Sequence, residues 1–472
     1  MRILFFILSN LFAIFSFAQK EDNTWILGGD NFPFRIEFND FEISLTPEPE
    51  REVQMHSTNT SLSDENGNLI FYTNGIHIYN YLNEIVENGD SINCCDFFFD
   101  SFYDFGYPSI QGAFFVKSQL ENNIYFLIHS KVIPEFGGSV SSILYSIIDI
   151  NASNGLGKVL EKNILLFDET PLEKMHLTQH ANGRDWWIVI PDKLENKFYR
   201  FLFSQDSFQG PFEQSFGEEP NTWGAAHNSF STDGQKYVYF PEHDEISILD
   251  FDRCTGEFSN EIRFRPFPLT QLPDIHLFYG VAFSPNSQFL YLQYGETSTA
   301  PTIPFTPYDG ILQYNMAAAD IESSKFEIIR SEIGLSTSFG SGLDGKIYYT
   351  SQVNGIFGAK YISVISQPNQ KGVNADVRTY LMNLPAISDI SLFPHFPNYR
   401  LGPIDGSPCD TLGIDNLPLA GFRCEPDSNN NLQIIFTDNS FYEPTEWSWS
   451  FGDGAMSSRY QSGAYLRGVG YL

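Results

Sequence analysis

Basic residues are scarce in this 472-residue chain, which carries 27 Lys and Arg against 58 Asp and Glu, for a formal net charge of −31. Nucleic acids and anionic membrane surfaces are held mainly by Lys and Arg, so we expect neither as a partner. The acidic excess indicates good solubility and repulsion between copies of the protein. We expect no cofactor; because hard cations prefer oxygen ligands, calcium at clustered carboxylates is the less favoured alternative.

Cysteine is also sparse, and its five residues are an odd number that is too small for a disulfide scaffold. Cys409 and Cys424 flank the expected junction between two domains, and we predict a disulfide between them. The adjacent Cys94 and Cys95 form either a strained vicinal bridge or two free thiols. No cysteine spacing resembles that of a zinc site.

Long apolar runs are missing after the N-terminus, where none approaches the roughly 18 consecutive apolar residues that a membrane-spanning helix needs. At the N-terminus, Arg2 precedes an apolar stretch that ends in Ser16-Phe17-Ala18, with small residues at the −3 and −1 positions of a cleavage site. Residues 1–18 therefore predict a secretory signal peptide, and a retained anchor is the less favoured alternative. We expect an exported protein, extracellular or on the outer cell surface, with no integral membrane segment after cleavage.

Aromatic residues, in contrast, are abundant, with 45 Phe and 24 Tyr, and they favour an all-β protein. Short polar turn pairs recur along the chain, each followed by an apolar or aromatic segment. These pairs are Asn66-Gly67, Asn122-Asn123, Asn182-Gly183, Asp233-Gly234, Asn286-Ser287 and Asp344-Gly345. Since such pairs supply the backbone angles that tight hairpins require, each predicts a β-hairpin.

The hairpins recur at intervals of 51 to 60 residues, and two of the periods show a second turn, at Asn154-Gly155 and at Thr255-Gly256. Two hairpins per period make four strands, which is one blade of a β-propeller. Residues 19–401 would hold about seven blades at this period, whereas a solenoid would have a shorter one. We expect the seventh blade to combine Trp25-Ile26-Leu27 with strands around Tyr361 to Ile365, which would close the ring.

Residues 402–416 differ in composition, because Pro and Gly interrupt any strand-like alternation, and they predict a linker or a short strap. Residues 417–472 then contain Trp447-Ser448-Trp449-Ser450-Phe451-Gly452-Asp453-Gly454. This stretch closely resembles the hallmark of the PKD domain, an immunoglobulin-like β-sandwich that serves as a non-catalytic spacer or binding module. Trp447, Trp449 and Phe451 alternate along one strand and should face the sandwich core together, before a turn at Gly452, Asp453 and Gly454. After Gly454 the chain departs from the family pattern, so we expect a truncated, partial PKD domain.

The propeller segment carries a second set of recognisable stretches, at residues 62–75, 173–175, 180–187, 251–252, 279–287 and 364–369. Together they are similar to the propeller-like N-terminal region of large bacterial surface proteins that are exported by the type IX route. That resemblance implies adhesion, surface display or glycan handling.

Catalytic motifs are hard to find. No nucleophile elbow is present, and the G-x-G-x-x-G stretch from Gly340 to Gly345 opens a hairpin, where a dinucleotide site would need a helix. His176 and His180 have an H-x-x-x-H spacing, but Leu177 stands where a metalloprotease needs Glu. We therefore interpret both histidines as structural.

A long acidic insertion at residues 88–107 offers the best candidate site, because exposed aromatic rings in a loop suit sugar stacking or protein contact. The ligand-binding candidates are Phe97, Phe98, Phe99 and Tyr103. The candidate calcium ligands are Asp96, Asp100 and Asp104. The alternative is that these rings only pin the loop to the propeller.

We therefore predict a secreted or cell-surface binding and adhesion protein, not an enzyme, that contacts an extracellular glycan or protein through its propeller. One alternative is a secreted propeller hydrolase or lyase acting on polysaccharide, which would need a convergent pair of carboxylates. The other is a scaffold that displays a missing C-terminal domain.

Overall fold

The fold was described from a computed structural model. It covers residues 19–29, 32–39, 43–93, 106–133, 139–172, 174–217, 226–242, 244–267, 274–298, 309–331, 335–353, 356–388, 393–427, 430–442, 444–451, 456–459 and 461–465.

The described residues form a seven-bladed β-propeller in which every blade is an antiparallel sheet built from consecutive strands. Blade 1 contains β1 (Thr24–Leu27), β2 (Phe34–Phe38) and β3 (Ile43–Pro47). Blade 2 contains β4 (Thr60–Ser63), β5 (Leu69–Thr73) and β6 (Ile78–Asn80). Blade 3 contains β7 (Ala113–Lys117), β8 (Ile124–Ile133), β9 (Ser139–Asp149) and β10 (Lys158–Leu172), with a single helical turn, α1 (Ala152–Gly155), between its last two strands.

The remaining four blades each have four strands. Blade 4 contains β11 (His176–Gln179), β12 (Trp186–Pro191), β13 (Lys197–Ser204) and β14 (Ser207–Ser215). Blade 5 contains β15 (Ser229–Phe230), β16 (Lys236–Glu242), β17 (Glu245–Phe251) and β18 (Phe258–Phe264). Blade 6 contains β19 (Asp274–Phe283), β20 (Phe289–Ser298), β21 (Asp309–Asn315) and β22 (Phe326–Ser331). Blade 7 contains β23 (Leu335–Ser341), β24 (Ile347–Val353), β25 (Ile356–Ile365) and β26 (Val377–Ser388).

The predicted hairpins are confirmed, and so is the all-β propeller of about seven blades. Each of the six turn pairs joins the first strand of a blade to its second strand, as at Asn182-Gly183 between β11 and β12. The turns at Asn154-Gly155 and Thr255-Gly256 join the outer two strands of blades 3 and 5. Local turn chemistry therefore determines where the blades begin.

The prediction for the closing blade is wrong. Trp25 to Leu27 pair with Phe34 to Ile36 of the same blade, while Tyr361 lies in blade 7, whose four strands are all contributed by residues 335–388. In every blade, each strand pairs with strands that are adjacent to it in sequence, and blade 7 is therefore complete without a strand from the N-terminus. The ring closes instead through side chains, since Trp25 packs against Tyr348 of β24 with ring centroids 5.8 Å apart.

The buried hydrophobic side chains of the described residues form seven clusters, one at each junction between neighbouring blades. Successive side chains in a strand point to opposite faces, so each blade contributes to two clusters. Trp186 joins the cluster shared with blade 3, and its neighbour Trp187 joins the cluster shared with blade 5. Both indoles are buried, which accounts for the adjacent tryptophans without a ligand.

The centre of the ring is occupied by a segment that we call the axial strap, residues 393–404. Its Phe393 backbone N–H donates to Ser338 Oγ on β23, and its His395 backbone N–H donates to Asn59 O beside β4. Further along, the Tyr399 hydroxyl donates to Phe115 O on β7 at 2.9 Å. The strap therefore touches the innermost strands of blades on different sides of the ring.

The strap ends against the hairpin turns of blades 4 and 5, where two glycines make room for it. Gly183 and Gly234 have φ angles of +75° and +71°, and a Cβ on Gly183 would lie 2.5 Å from Pro403 Cδ. The Arg253 guanidinium of blade 5 donates to Gly402 O at 2.6 Å and to Gln179 O at 2.8 Å. Glycine is thus required here both by backbone conformation and by close approach.

The predicted Cys409–Cys424 disulfide is wrong, because Cys409 is bonded to Cys254 in the turn between β17 and β18. The strap carries the chain back across blade 5 and brings the two Cα atoms to 5.7 Å, although 155 residues separate them in sequence. Cys424 lies on β27 (Phe422–Asp427) as a partly exposed free thiol. The sequence alone gave no sign that the chain returns to blade 5.

After the strap, the described residues form two small sheets. One joins β27 to β28 (Asn430–Asp438) and β31 (Gln461–Tyr465), and the other pairs β29 (Trp449–Ser450) with β30 (Met456–Ser457). This C-terminal unit docks on blade 7, where Arg423 donates to Asp344 O and Ser366 O at 2.9 and 3.0 Å. The predicted PKD β-sandwich is not shown by these strand pairs.

Candidate functional site

Most sequence-predicted site residues lie outside the described part of the chain. These are Asp96, Phe97, Phe98, Phe99, Asp100, Tyr103 and Asp104 of the insertion, together with Gly452, Asp453 and Gly454 of the C-terminal motif. Within the described part, no group of three or more His, Cys, Asp or Glu side chains is arranged to hold a metal ion. The same residues contain no helix long and apolar enough to cross a membrane.

The aromatic residues of the C-terminal motif do meet in space. Phe436 of β28 lies with its ring centroid 5.9 Å from that of Trp449 and 5.1 Å from that of Phe451. Trp449 Nε1 donates to Arg459 O at 2.7 Å. The strand β29 contains only Trp449 and Ser450, so the predicted single strand through Trp447, Trp449 and Phe451 is not shown. The packing on Phe436 is structural and offers no reactive group.

Three buried histidines meet at the ring axis: His176 at the start of β11, His227 just before β15, and His395 on the strap. The rings of His227 and His395 lie 4.9 Å apart, and His227 Nε2 is 2.7 Å from Val281 O. Burial lowers the pKa of His176 and of His227 to about 4, so these imidazoles are neutral at neutral pH. His180, the other half of the H-x-x-x-H pair, contacts Cys254 O through Nε2 at 3.0 Å, which fits its structural interpretation.

A cavity of about 230 Å³ lies where blades 2, 3 and 4 meet the N-terminal segment and the axial strap, and we call it the interblade pocket. It is lined by residues from five parts of the chain: Gln19, Glu21, Leu62, Lys117, Ser118, Gln119, Tyr125, Gln179, Gly183, Arg184, Trp186 and Tyr399. Three of these residues are charged and three are aromatic. Such a concave site with a few convergent polar groups is the usual form of a small-molecule site.

Glu21 is the carboxylic acid of this pocket. The backbone around it is fixed, since Glu21 O accepts from Ser63 N at 2.7 Å and the next residue, Asp22, forms an ion pair with Arg400 at 2.5 Å. Its own Oε2 atom is buried without a hydrogen-bond partner among the described residues. Burial raises the pKa of Glu21, with Asp22 adding to the effect while Arg400 and Lys117 oppose it.

Tyr125 and Lys117 enter the pocket together, because they are directly opposite partners in the β7–β8 ladder and so project on the same face. Lys117 ends β7 and is exposed, whereas Tyr125 is buried. Burial, reinforced by Glu21 and nearby carboxylates, raises the pKa of Tyr125 to about 12. Its hydroxyl therefore stays protonated and can act as a hydrogen-bond donor.

Arg184 belongs to the hairpin turn between β11 and β12 and forms the opposite wall. Its Nε donates to Asp185 Oδ1 at 2.7 Å. Gln119 Nε2 donates to Arg184 O at 3.3 Å, and Asp206 accepts from Gln119 N at 2.7 Å. These bonds tie the turns of blades 3 and 4 together, so the pocket wall is built before any ligand arrives.

The aromatic floor joins the pocket to the axial strap. Trp186 and Tyr399 meet edge to face with ring centroids 5.9 Å apart, and each is buried. This pocket could not be predicted from the sequence, because Glu21, Lys117, Arg184 and Tyr399 are far apart in the chain and none belongs to a motif. The one feature of the sequence that could have pointed to this pocket is Lys117, a basic residue that follows an apolar run in a strongly acidic protein.

Comparison with known proteins gives fold similarity only. No protein-family model and no curated protein matches this chain. Solved structures with similar folds include a protein from Lactobacillus plantarum, with 11% identity, a TM-score of 0.46 and coverage of 79% of this chain and 98% of that one. A periplasmic gluconolactonase from Pseudomonas aeruginosa has 12% identity and a TM-score of 0.45 over 79% and 98% of the two chains. A putative 6-phosphogluconolactonase from Bacteroides fragilis has 11% identity and a TM-score of 0.45 over 79% and 97%.

The prediction of a non-catalytic adhesion protein is contradicted, since the similar structures with a named activity are enzymes. At about a tenth identity the likeness concerns the propeller fold alone, and it assigns no activity to this chain. The catalytic alternative must therefore be argued from the interblade pocket itself.

Proposed function

We propose that this chain is an exported propeller hydrolase that cleaves an ester or lactone bond of a carbohydrate derivative in the interblade pocket. The observation that carries this proposal is the buried Oε2 of Glu21, which has no hydrogen-bond partner among the described residues and belongs to a residue that lines the same pocket as Tyr125. A carboxylate with a raised pKa is a stronger base than usual, and it suits general-base catalysis near neutral pH.

In the proposed reaction, the Glu21 carboxylate removes a proton from water as the oxygen of that water adds to the substrate carbonyl. The Tyr125 hydroxyl donates a hydrogen bond to the oxyanion that forms. Collapse of the tetrahedral intermediate breaks the C–O bond, and Glu21 returns its proton to the leaving alkoxide. The products are a carboxylic acid and an alcohol, which remain one molecule when the substrate is a lactone.

The sequence-based alternative was a hydrolase or lyase that acts on polysaccharide. Cleavage of a glycosidic bond fits this pocket less well. Most glycoside hydrolases use two carboxyl groups roughly 5 to 10 Å apart. Glu21 is the single carboxyl group among the residues that line the pocket. One base and one neutral donor suffice for ester hydrolysis, and we therefore favour that reaction.

Gluconolactone is the first substrate to test, because one of the proteins with a similar fold is described as a gluconolactonase. The full chain would be assayed by pH-stat against this lactone, a neutral aryl ester and a polysaccharide, with buffer blanks for spontaneous hydrolysis. We expect lactone or ester turnover, and a fall in kcat of about 100-fold or more in Glu21→Gln. The matched control is Glu50→Gln at an exposed position. Absence of turnover, or equal turnover by Glu21→Gln, would refute the proposal.

We further propose that residues 1–18 are removed on export and that residues 417–472 form a partial PKD-type unit of a type IX-exported surface protein. The packing of Trp449 and Phe451 on Phe436 supports the second point. N-terminal sequencing of the exported protein tests the first, and a start at Gln19 is the expected result.

A further inference from the structure

Positive charge is concentrated at the interblade pocket to a degree that the composition does not predict. The chain has 27 Lys and Arg against 58 Asp and Glu, yet two of the three charged residues that line the pocket are cations. Basic side chains that converge on a cavity in an acidic protein mark it as a place for negative charge.

Lys117 is available to a ligand. It is exposed, and the described residues give its ammonium group no carboxylate within salt-bridge distance. An ammonium group at the rim of a cavity can donate up to three hydrogen bonds to an anion.

The Arg184 guanidinium already has hydrogen-bond partners at two of its three nitrogen atoms. Its Nε bonds Asp185 at 2.7 Å and its Nη2 lies 3.5 Å from Ser204 Oγ, while its Nη1 makes no such bond within the described residues. The contact with Asp185 fixes the orientation of the guanidinium plane, and the free Nη1 edge is left for a partner. An oriented guanidinium group is well suited to carboxylate or phosphate.

The neutral part of the lining indicates what carries that anion. The Tyr125, Trp186 and Tyr399 rings provide apolar faces, and Gln179 adds an amide close to them. A cavity of about 230 Å³ is smaller than the usual drug-sized pocket, and we take it to fit a single sugar ring better than a polymer.

We propose that the interblade pocket selects an anionic monosaccharide derivative, whose carboxylate or phosphate is held between Lys117 and Arg184. This inference rests on the proposed function for the site but concerns binding. It is therefore tested by a binding measurement that needs no turnover.

The experiment is calorimetric titration of the full chain with gluconate, galacturonate, glucose 6-phosphate and neutral glucose, followed in parallel by the intrinsic tryptophan fluorescence of the protein. We expect an anionic sugar to bind at least 10-fold more tightly than glucose, and Lys117→Gln to weaken that binding about 10- to 100-fold. Lys117→Arg should keep most of the affinity, and the exposed Lys371→Gln should keep all of it. Comparing the affinities for gluconate and galacturonate with that for glucose 6-phosphate shows whether the pocket prefers a carboxylate or a phosphate.

Equal affinity for glucose and the anionic sugars would overturn the inference, as would absence of binding or equal affinity in Lys117→Gln. Binding of an anionic sugar without lactone or ester turnover would support the inference and refute the hydrolase. Turnover of a neutral ester, with equal affinity for neutral and anionic sugars, would support the hydrolase and refute the inference.

Discussion

The ring axis and the interblade pocket are both places where polar side chains of different blades meet, and they differ in kind. At the axis, the strap fills the centre and the meeting groups are neutral imidazoles, with His227 and His395 in ring contact. In the pocket, the groups are a carboxyl and two cations around a cavity of about 230 Å³. The axis therefore acts as a joint that holds the blades together, whereas the charged groups of the pocket line a cavity.

This comparison predicts that substitutions at the axis change stability, whereas those in the pocket change binding and turnover. The largest test is Phe393→Ala, because Phe393 is fully buried and lies 5.2 Å from the Trp25 ring. We expect a loss of about 3–5 kcal/mol in the free energy of unfolding, measured by urea denaturation, with KM unchanged. Leu194→Ala, at a side chain that is 60% exposed, is the control. A large change in KM without a stability loss would break the division between the two places.

Next comes the disulfide that anchors the end of the strap. The double variant Cys254→Ser/Cys409→Ser should lose about 2–4 kcal/mol of unfolding free energy under oxidising conditions. Cys424→Ser, which removes a free thiol, should change little. Denaturation midpoints that agree with the wild type in the double variant would show that the strap is held without the covalent bond.

A smaller effect concerns pH. Burial holds the pKa of His176 and His227 at about 4 and that of His395 well below 6.5, whereas unfolded histidine titrates near 6.5. The stability that neutral histidines contribute is complete above pH 6.5 and is lost as the pH falls towards 4. No carboxylate is among the groups that shift these three pKa values; besides each other, Lys174 acts on His227.

Replacing one of the three therefore reduces the pH dependence. His395→Phe should lower the slope of unfolding free energy against pH by about 1.4 kcal/mol per pH unit between pH 6.5 and 4.5. Urea unfolding of both proteins across that range gives the slopes. Parallel curves for the variant and the wild type would exclude a buried neutral His395.

The smallest expected effect is at Tyr399, the residue that the axis and the pocket share. Tyr399→Phe removes the hydrogen bond to Phe115 O and should cost about 1 kcal/mol, while its ring keeps its place in the pocket floor. We expect KM to stay close to the wild-type value although the free energy of unfolding falls. A strong rise in KM would mean that the hydroxyl contacts substrate.

The parts of this fold that could be predicted from sequence were those set by local chemistry. The pairs from Asn66-Gly67 to Asp344-Gly345 located the blade hairpins because a tight turn needs particular residues at its own position. The closing blade and the Cys409 disulfide were mispredicted because both depend on which distant segments meet. Glu21 of the N-terminal segment, Lys117 of blade 3 and Arg184 of blade 4 line one pocket only after the blades have packed together, and no single stretch of sequence carries that information.

The position of the disulfide also has a mechanical consequence. Cys409 lies between the axial strap and the C-terminal unit, so tension applied to the C-terminal end passes into Cys254 of blade 5 before it reaches residues 393–404. Two covalently joined backbones carry that load, and the hydrogen bonds of Phe393 and Tyr399 are spared. A pull on the C-terminal unit would thus peel its small sheets while the ring stays closed.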